Sequence, residues 1–210
     1  MTGSDTCERI LTAALDCFLE NGVRRTTVEQ VRKRADVSNG SFFHHFRTKN
    51  ELAEAVYLQG LELHQAELSA VLTPTAGLRA GVEGVVRCHL AWVEANPRHA
   101  AFLLAPPDWS APRDAPVIMA HSREFFLIVA RWLRARGWED TPALGVLVAV
   151  WIGPAHAYTR DRLPDEPATP AMEATALAEA AWHALSPHFP TSGPQGGPQD
   201  GPQGRPEDSR

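Results

Sequence analysis

Residues Thr26 to Leu52 read TTVEQVRKRADVSNGSFFHHFRTKNEL, and the fold of the whole chain turns on this stretch. Thr26 and Glu29 stand at capping-box spacing, and Thr48 and Glu51 repeat it. Helices are therefore expected over roughly 27 to 35 and 39 to 46, joined by Asp36-Val37-Ser38, with a longer helix opening at Thr48. On the short middle helix Phe42 and Phe46 lie four apart and share one face, so both can dock on the helices before and after. Phe43 falls beside that face, His44 and His45 project away from it, and Asn39, Gly40 and Ser41 occupy the exposed first turn. Two short helices with a three-residue connection have helix-turn-helix geometry, whose second helix lies in the major groove of DNA.

Outward from this stretch the pattern stays helical. Upstream, Ile10, Ala13, Ala14, Cys17 and Phe18 recur as an amphipathic stripe, and Gly22 is a fitting stop. Downstream, the helix from Thr48 runs through Leu52, Val56 and Leu63 toward Leu72. Leu78, Val82, Val85, Val86, His89 and Val93 then mark one face of a helix ending before Asn96-Pro97. A short piece from Arg98 to Leu104 leads into a proline-rich loop, Pro106 to Pro116. Further helices are expected from about Val117 to Arg136, closed by Gly137, from Pro142 to about Leu163, and from Pro170 to about Leu185. No alternating run bounded by a hairpin turn indicates a strand. The tail from Pro190 contains a GPQG-GPQD-GPQG-RPED repeat with no large apolar side chain after Phe189, so disorder is expected there.

The expected fold is all-α: a three-helix head over 1–50, a larger helical body over 51–189, and a tail over 190–210. With 210 residues and 44% hydrophobic content the chain can build a full core. Cys7, Cys17 and Cys88 form no CxxC pair, and buried reduced thiols suit a cytoplasmic protein. The N-terminus carries no apolar export signal. The uncharged run Thr141 to Thr159 contains Pro142, Pro154, His156 and Tyr158 and reads as a helix buried in protein, not a membrane span. Residues 1–50 hold eight Lys and Arg against six Asp and Glu, while 51–210 hold twelve against nineteen. A mildly basic head on an acidic body directs a polyanion toward one end.

The stretch from Thr26 to Leu52 resembles, without a gap, the DNA-binding segment of the TetR family of transcriptional regulators. That family's approximate pattern is T-T-V-x-x-I-A-x-x-A-G-V-S-x-G-x-L-Y-x-H-F-x-x-K-x-x-L. The resemblance implies phosphate contacts from Thr27, Ser38 and Lys49, a base-reading turn at Asn39, Gly40 and Ser41, and groove-facing rings at Phe43, His44 and His45. The chemistry agrees: Asn can pair bidentately with adenine, glycine admits close approach, and a lysine at a helix N-terminus favours phosphate. Three positions depart from the pattern. Phe43 stands where tyrosine is common, Asp36 replaces a turn glycine, and Arg32, in place of a small residue, either adds a phosphate contact or extends into water.

The resemblance further implies a homodimer built on the last two long helices. Leu144, Leu147, Val148, Trp151 and Ala155, with Ala178, Ala181, Trp182 and Leu185, offer apolar groups at helical spacing, with packing inside one chain the competing use. Rings in the middle helices offer either a cavity wall or ordinary core. The set comprises His89, Trp92, Phe102, Trp109, Met119, Phe125, Phe126, Trp132, Trp151, His156 and Tyr158. Among these His89, Trp92, Phe102, Phe126, Trp151, His156 and Tyr158 are the expected ligand contacts. The set holds no Lys, Arg, Asp or Glu, which points to an apolar or aromatic effector. Gly153-Pro154 is expected to kink its helix and open space. The nine histidines show no HxxxH or HExxH spacing and no catalytic constellation is present, so neither an enzyme nor a metal or other cofactor is expected. The expected function is a DNA-binding repressor released from a palindromic operator by a small molecule. The alternative is a DNA-binding or protein-interaction module without an effector.

Overall fold

The computed structural model describes residues 3–105, 116–163 and 168–190. The tail, Trp109 and most of the proline-rich loop lie outside them. The described residues are helical, without a strand: α1 (Gly3–Asn21), α2 (Val28–Ala35), α3 (Asn39–His45), α4 (Lys49–Val71), α5 (Leu78–Ala95), α6 (Pro97–Leu104), α7 (Pro116–Arg134), α8 (Leu144–Arg162) and α9 (Ala171–Leu185), followed by a 3-10 turn at Ser186–His188. No described helix is long and apolar enough to cross a membrane.

In the head, α1, α2, α3 and the first turns of α4 enclose Ile10, Ala14, Phe18, Val31, Phe42, Leu52 and Val56. The boundary expected near residue 50 therefore falls inside a core that α4 completes. Local chemistry fixes each helix start, one residue later than expected for α2. Thr27 caps α2, taking the Gln30 N–H on its hydroxyl while Gln30 Oε1 accepts the Thr27 N–H at 2.7 Å. Thr26 is buried and donates to the carbonyls of Cys17 and Gly22, which ties down the turn after α1. Glu29 pairs with Arg32 and Lys33 instead of capping. Asp36 ends α2 at φ 50°, a left-handed conformation that Asp tolerates better than most residues. Arg9 holds that turn by donating to the carbonyls of Ala35 and Asp36.

In the body, α5 is the central helix and packs on α4, α8 and α9. Val82, Val86, Leu90, Leu133, Leu147, Trp151 and Leu185 belong to one core. Two tryptophans cross-link it. Trp151 donates from its indole to the Val82 carbonyl at 2.9 Å, and Trp132 donates to Thr73 at 3.0 Å. Arg136 lies 3.8 Å over the Trp132 ring and donates to the carbonyls of Thr73, Ala76 and Trp132, closing the α4–α5 connection onto the end of α7.

The apolar stripe expected at the dimer surface is mostly core. Leu147, Trp151, Ala155, Ala178, Ala181 and Leu185 are all buried within one chain. A second stripe faces out: Val146, Ala149, Val150 and Pro154 on α8, and Met172, Ala176, Ala180 and Ala184 on α9. These helices are apolar on two sides, so periodicity alone does not say which stripe meets the chain's own core. Pro154 is accommodated within the continuous α8.

Head and body meet through α4, which runs from one into the other, and through α6 against α1. Phe102 stacks on Phe18 with ring centroids 5.7 Å apart, and Arg98 pairs with Asp16 beside them.

Candidate functional site

The candidate reading surface is built on α3. Ser38 caps this helix by accepting the Ser41 N–H at 3.1 Å, and Phe46 ends it. Phe42 and Phe46 are buried as the anchor, and Phe42 packs edge-on against Phe43, 5.4 Å between centroids. On the outer side Asn39, Gly40, Phe43 and His44 are exposed, while Ser41 and His45 are half-buried. A Cβ at Gly40 would meet nothing within 4 Å, so the fold itself does not require glycine there. Its missing side chain matters only to something approaching from outside.

Thr27, Ser38 and Thr48 cap three successive helices in this small region. A capping hydroxyl that accepts an amide proton still has its own proton, and those of Ser38 and Thr48 are available to an external acceptor. Thr27 donates to Gln30 Oε1 at 3.0 Å. Lys49 sits at the start of α4, and its ammonium donates to the carbonyls of Arg24 and Thr26, each at 2.8 Å. It thus pins α4 to the turn after α1 and retains a third N–H. Arg32 does not extend into water: it pairs with Glu29 and donates to the Val37 carbonyl at 3.0 Å. Arg47, exposed between α3 and α4, is a cation that the pattern-based reading passed over.

The body contains a cavity of about 280 Å³ between α4, α5, α6, α7 and α8. Of the expected contacts, Phe126, Trp151 and His156 line it. His89, Trp92, Phe102 and Tyr158 do not. His89 is fully buried behind the wall, Trp92 packs with Val93 and Ala100, Phe102 joins body to head, and the Tyr158 hydroxyl donates to the Glu173 carboxylate. The sequence reading missed Tyr57, Leu61, His64 and Gln65, all on α4, because that helix was read only for its apolar stripe. Arg160 also lines the cavity, so the lining is not free of charge. Gln65 Oε1 and His156 Nε2 are buried without a hydrogen-bond partner among the described residues, which gives the cavity a polar end.

Behind that end three histidines adjoin. His64 Nε2 lies 2.9 Å from His89 Nδ1, and the His89 and His156 rings are 4.5 Å apart. Burial, with smaller repulsion from His156, lowers His64 from 6.5 to about 3. Burial, with the Arg160 charge, lowers His156 to about 4. His89 is lowered by burial and by both neighbours, against an opposing contact from the Ala155 carbonyl. All three rings are neutral near pH 7. Because the unfolded chain takes up these protons first, their contribution to stability is complete above about pH 6.5 and is lost as pH falls toward 4. In chelator-containing buffer, unfolding free energy is expected to drop by a few kcal/mol between pH 6.5 and 4. His64→Gln should flatten this decline in denaturant titrations, and an equally steep decline would remove His64 from its cause.

The sequence profile of bacterial regulatory proteins of the tetR family matches residues 10–56, which run from within α1 into the first turns of α4. The head therefore carries the tetR-family sequence pattern. The HTH-type transcriptional regulator SrpR of Pseudomonas putida is 35% identical over 82 residues, 39% of this chain and 37% of SrpR. BetI of Yersinia pestis (strain Pestoides F), another HTH-type transcriptional regulator, is 39% identical over 84 residues, 37% of this chain and 42% of BetI. The matched stretch thus spans less than half of either relative. Among solved structures, a TetR-family transcriptional regulator from Haemophilus influenzae Rd superposes with a TM-score of 0.70 at 16% identity, covering 86% of this chain and 96% of that one. The fatty acid degradation regulator FadR of Bacillus halodurans gives 0.68 at 14% identity, covering 86% and 93%. The TetR arrangement of helices therefore extends through the body, at identities that speak for the fold alone. The relatives are transcriptional regulators, not enzymes.

Proposed function

We propose that this chain is a cytoplasmic, homodimeric transcriptional repressor of the TetR type that binds a palindromic operator and leaves it when a small molecule enters the body. The observation that carries the reading is α3: a capped helix anchored by Phe42 and Phe46 and presenting Asn39, Gly40, Phe43 and His44 outward. Thr27, Ser38 and Lys49 flank it at the starts of α2, α3 and α4, where amide dipoles favour phosphate. Ser41 and His45, half-exposed, complete the groove-facing set. One seven-residue helix contacts too little DNA for specificity, and a two-fold dimer doubles the surface. The outward stripes of α8 and α9 support such a dimer, since small residues such as Ala149, Ala176 and Ala180 let helices approach closely.

The effector we infer has an apolar body and one polar group. Phe126 and Leu61 supply an apolar wall, and Gln65 and His156 supply the polar end. Trp151 is both wall and pillar, and truncating a tryptophan buried to this degree costs about 3–5 kcal/mol. Phe126, 38% exposed, is the better probe. A compound found by thermal-shift screening should release operator DNA from the wild type. Phe126→Ala should keep dimer and operator affinity but weaken that release about tenfold, in line with a loss of roughly 1–2 kcal/mol of apolar contact. Unchanged release would place the effector elsewhere, and failure of every compound to act on the wild type favours the effector-independent reading.

A further inference from the structure

Three helices each send one histidine to the same point. His64 comes from α4, His89 from α5 and His156 from α8, and one nitrogen of each lies within 4.8 Å of the other two. Hydrogen bonding assigns their protons. The single Thr159 hydroxyl proton goes to the Ala155 carbonyl at 2.9 Å, so Thr159 Oγ1, 3.2 Å from His89 Nε2, accepts the proton that Nε2 carries. His89 Nδ1 is then the bare nitrogen and accepts from His64 Nε2–H at 2.9 Å. His156 Nε2 is buried with no hydrogen-bond partner among the described residues. An apolar core needs none of this. The cluster offers inward lone pairs on neutral imidazoles, one of which is already fixed by an outer hydrogen bond.

We propose that His64, His89 and His156 are the protein ligands of a divalent first-row transition-metal ion, zinc by preference, whose fourth position opens on the body cavity. Imidazole nitrogen suits zinc, and a three-histidine set with one open position is the arrangement of zinc sites that also bind an exogenous ligand. Zn–N bonds of about 2.0–2.1 Å in tetrahedral geometry place nitrogens roughly 3.3 Å apart. The His64–His89 pair opens by a few tenths of an ångström to reach this, and His156 closes in by side-chain rotation. The bond from His89 Nε2–H to Thr159 is the outer contact that orients a metal-bound histidine. Burial supplies the unprotonated rings that a metal requires. On binding, the ion displaces the Nε2 proton of His64, and the ring regains one from solvent at Nδ1, so no net proton is released.

His64 and His156 line the cavity while His89 lies behind it, so the open position faces the space where an effector would sit. A water, carboxylate or phenolate oxygen can fill it. An ion drawing His64 toward α8 also pulls on the helix that carries the head. That consequence rests on the regulatory function proposed above, whereas the metal site does not.

The test uses the full chain stripped with chelator, without DNA. Cobalt(II) titration should produce the visible absorption of a four-coordinate ion at one equivalent per chain, and zinc should displace the cobalt. Zinc competition against a chromophoric chelator should give a sub-micromolar Kd, and His64→Gln and His156→Gln should each weaken it by at least about 100-fold. His188→Gln, at an exposed ring in the turn after α9, should leave it unchanged. Thermal unfolding in chelator checks that the variants are folded, and His156→Gln, at the half-buried position, carries the comparison where His64→Gln is not. The wild-type titration decides by itself in one direction: no four-coordinate cobalt band, or zinc binding weaker than about 100 µM, overturns the site. Uptake that survives in a folded His156→Gln also overturns it.

Discussion

Asn39→Ala is expected to cost operator binding about 2–6 kcal/mol per dimer, because each half-site loses a bidentate base contact of about 1–3 kcal/mol. Its cost to folding should be negligible, since Asn39 is exposed at the first turn of α3 and Ser38 supplies the cap. The motif selected by the variant should lose its preference at one base-pair position in each half. Lys49→Ala provides the contrast. Removing a phosphate contact weakens binding on all sequences and lowers the salt slope by roughly one unit per protomer. Lys49 also holds the carbonyls of Arg24 and Thr26, so this variant should lose some thermal stability as well. Titrations at several salt concentrations on matched and scrambled DNA separate the two. If both variants lose affinity equally on every sequence, Asn39 does not read a base.

Gly81→Ala is expected to destabilise the body by at least about 3 kcal/mol, at the upper end for overpacking. A Cβ at Gly81 would lie 2.2 Å from Cζ2 of Trp132 and 2.5 Å from Cη2. The ring has little room to retreat: its indole is bonded to Thr73, Arg136 covers one face, and Trp151 stacks beside it, 6.2 Å between centroids. For a chain of this size the melting temperature should fall by roughly 6–12 °C. The same substitution at Gly40 should do the opposite. With open space around it and a helical backbone, alanine there should gain up to about 1 kcal/mol of helix stability while its methyl obstructs the surface proposed to meet DNA. A Gly81→Ala protein that melts with the wild type would show that the α5–α7 contact is looser than described.

The head was legible in the sequence almost residue by residue, because there the side chains that cap helices, fill the core and face outward are of different chemical kinds. Phe42 and Phe46 share the face that docks inward, and Asp36, standing where a turn glycine is usual, adopts the left-handed turn. One slip there, Thr26 for Thr27 as cap, arose because adjacent hydroxyls offer the same spacing. Burial of Thr26 beneath the carbonyls of Cys17 and Gly22 decides between them.

The body was legible as helices but not as surfaces. On α8 and α9 two apolar stripes are separated by a fraction of a turn, and pattern reading chose Leu147, Trp151, Ala178 and Leu185, which pack inward, over Val146, Val150, Ala176 and Ala180, which face out. The cavity depends on which aromatic rings from five helices happen to leave a gap, and four of seven expected contacts fell outside it. The histidine cluster was invisible for a related reason. Metal-ligand spacing is recognisable when two ligands share a helix, whereas His64, His89 and His156 come from three.

By the proposal above, α3 reads DNA and a two-fold dimer doubles that reading. The most direct measurement is selection of random duplex DNA by the purified full chain, with sequencing of the bound fragments. An inverted repeat is expected, its two halves read by helices about 34–36 Å apart or a multiple of that distance, with one position in each half relaxed by Asn39→Ala. Enrichment of no motif, or of a motif that Asn39→Ala leaves untouched, would contradict it.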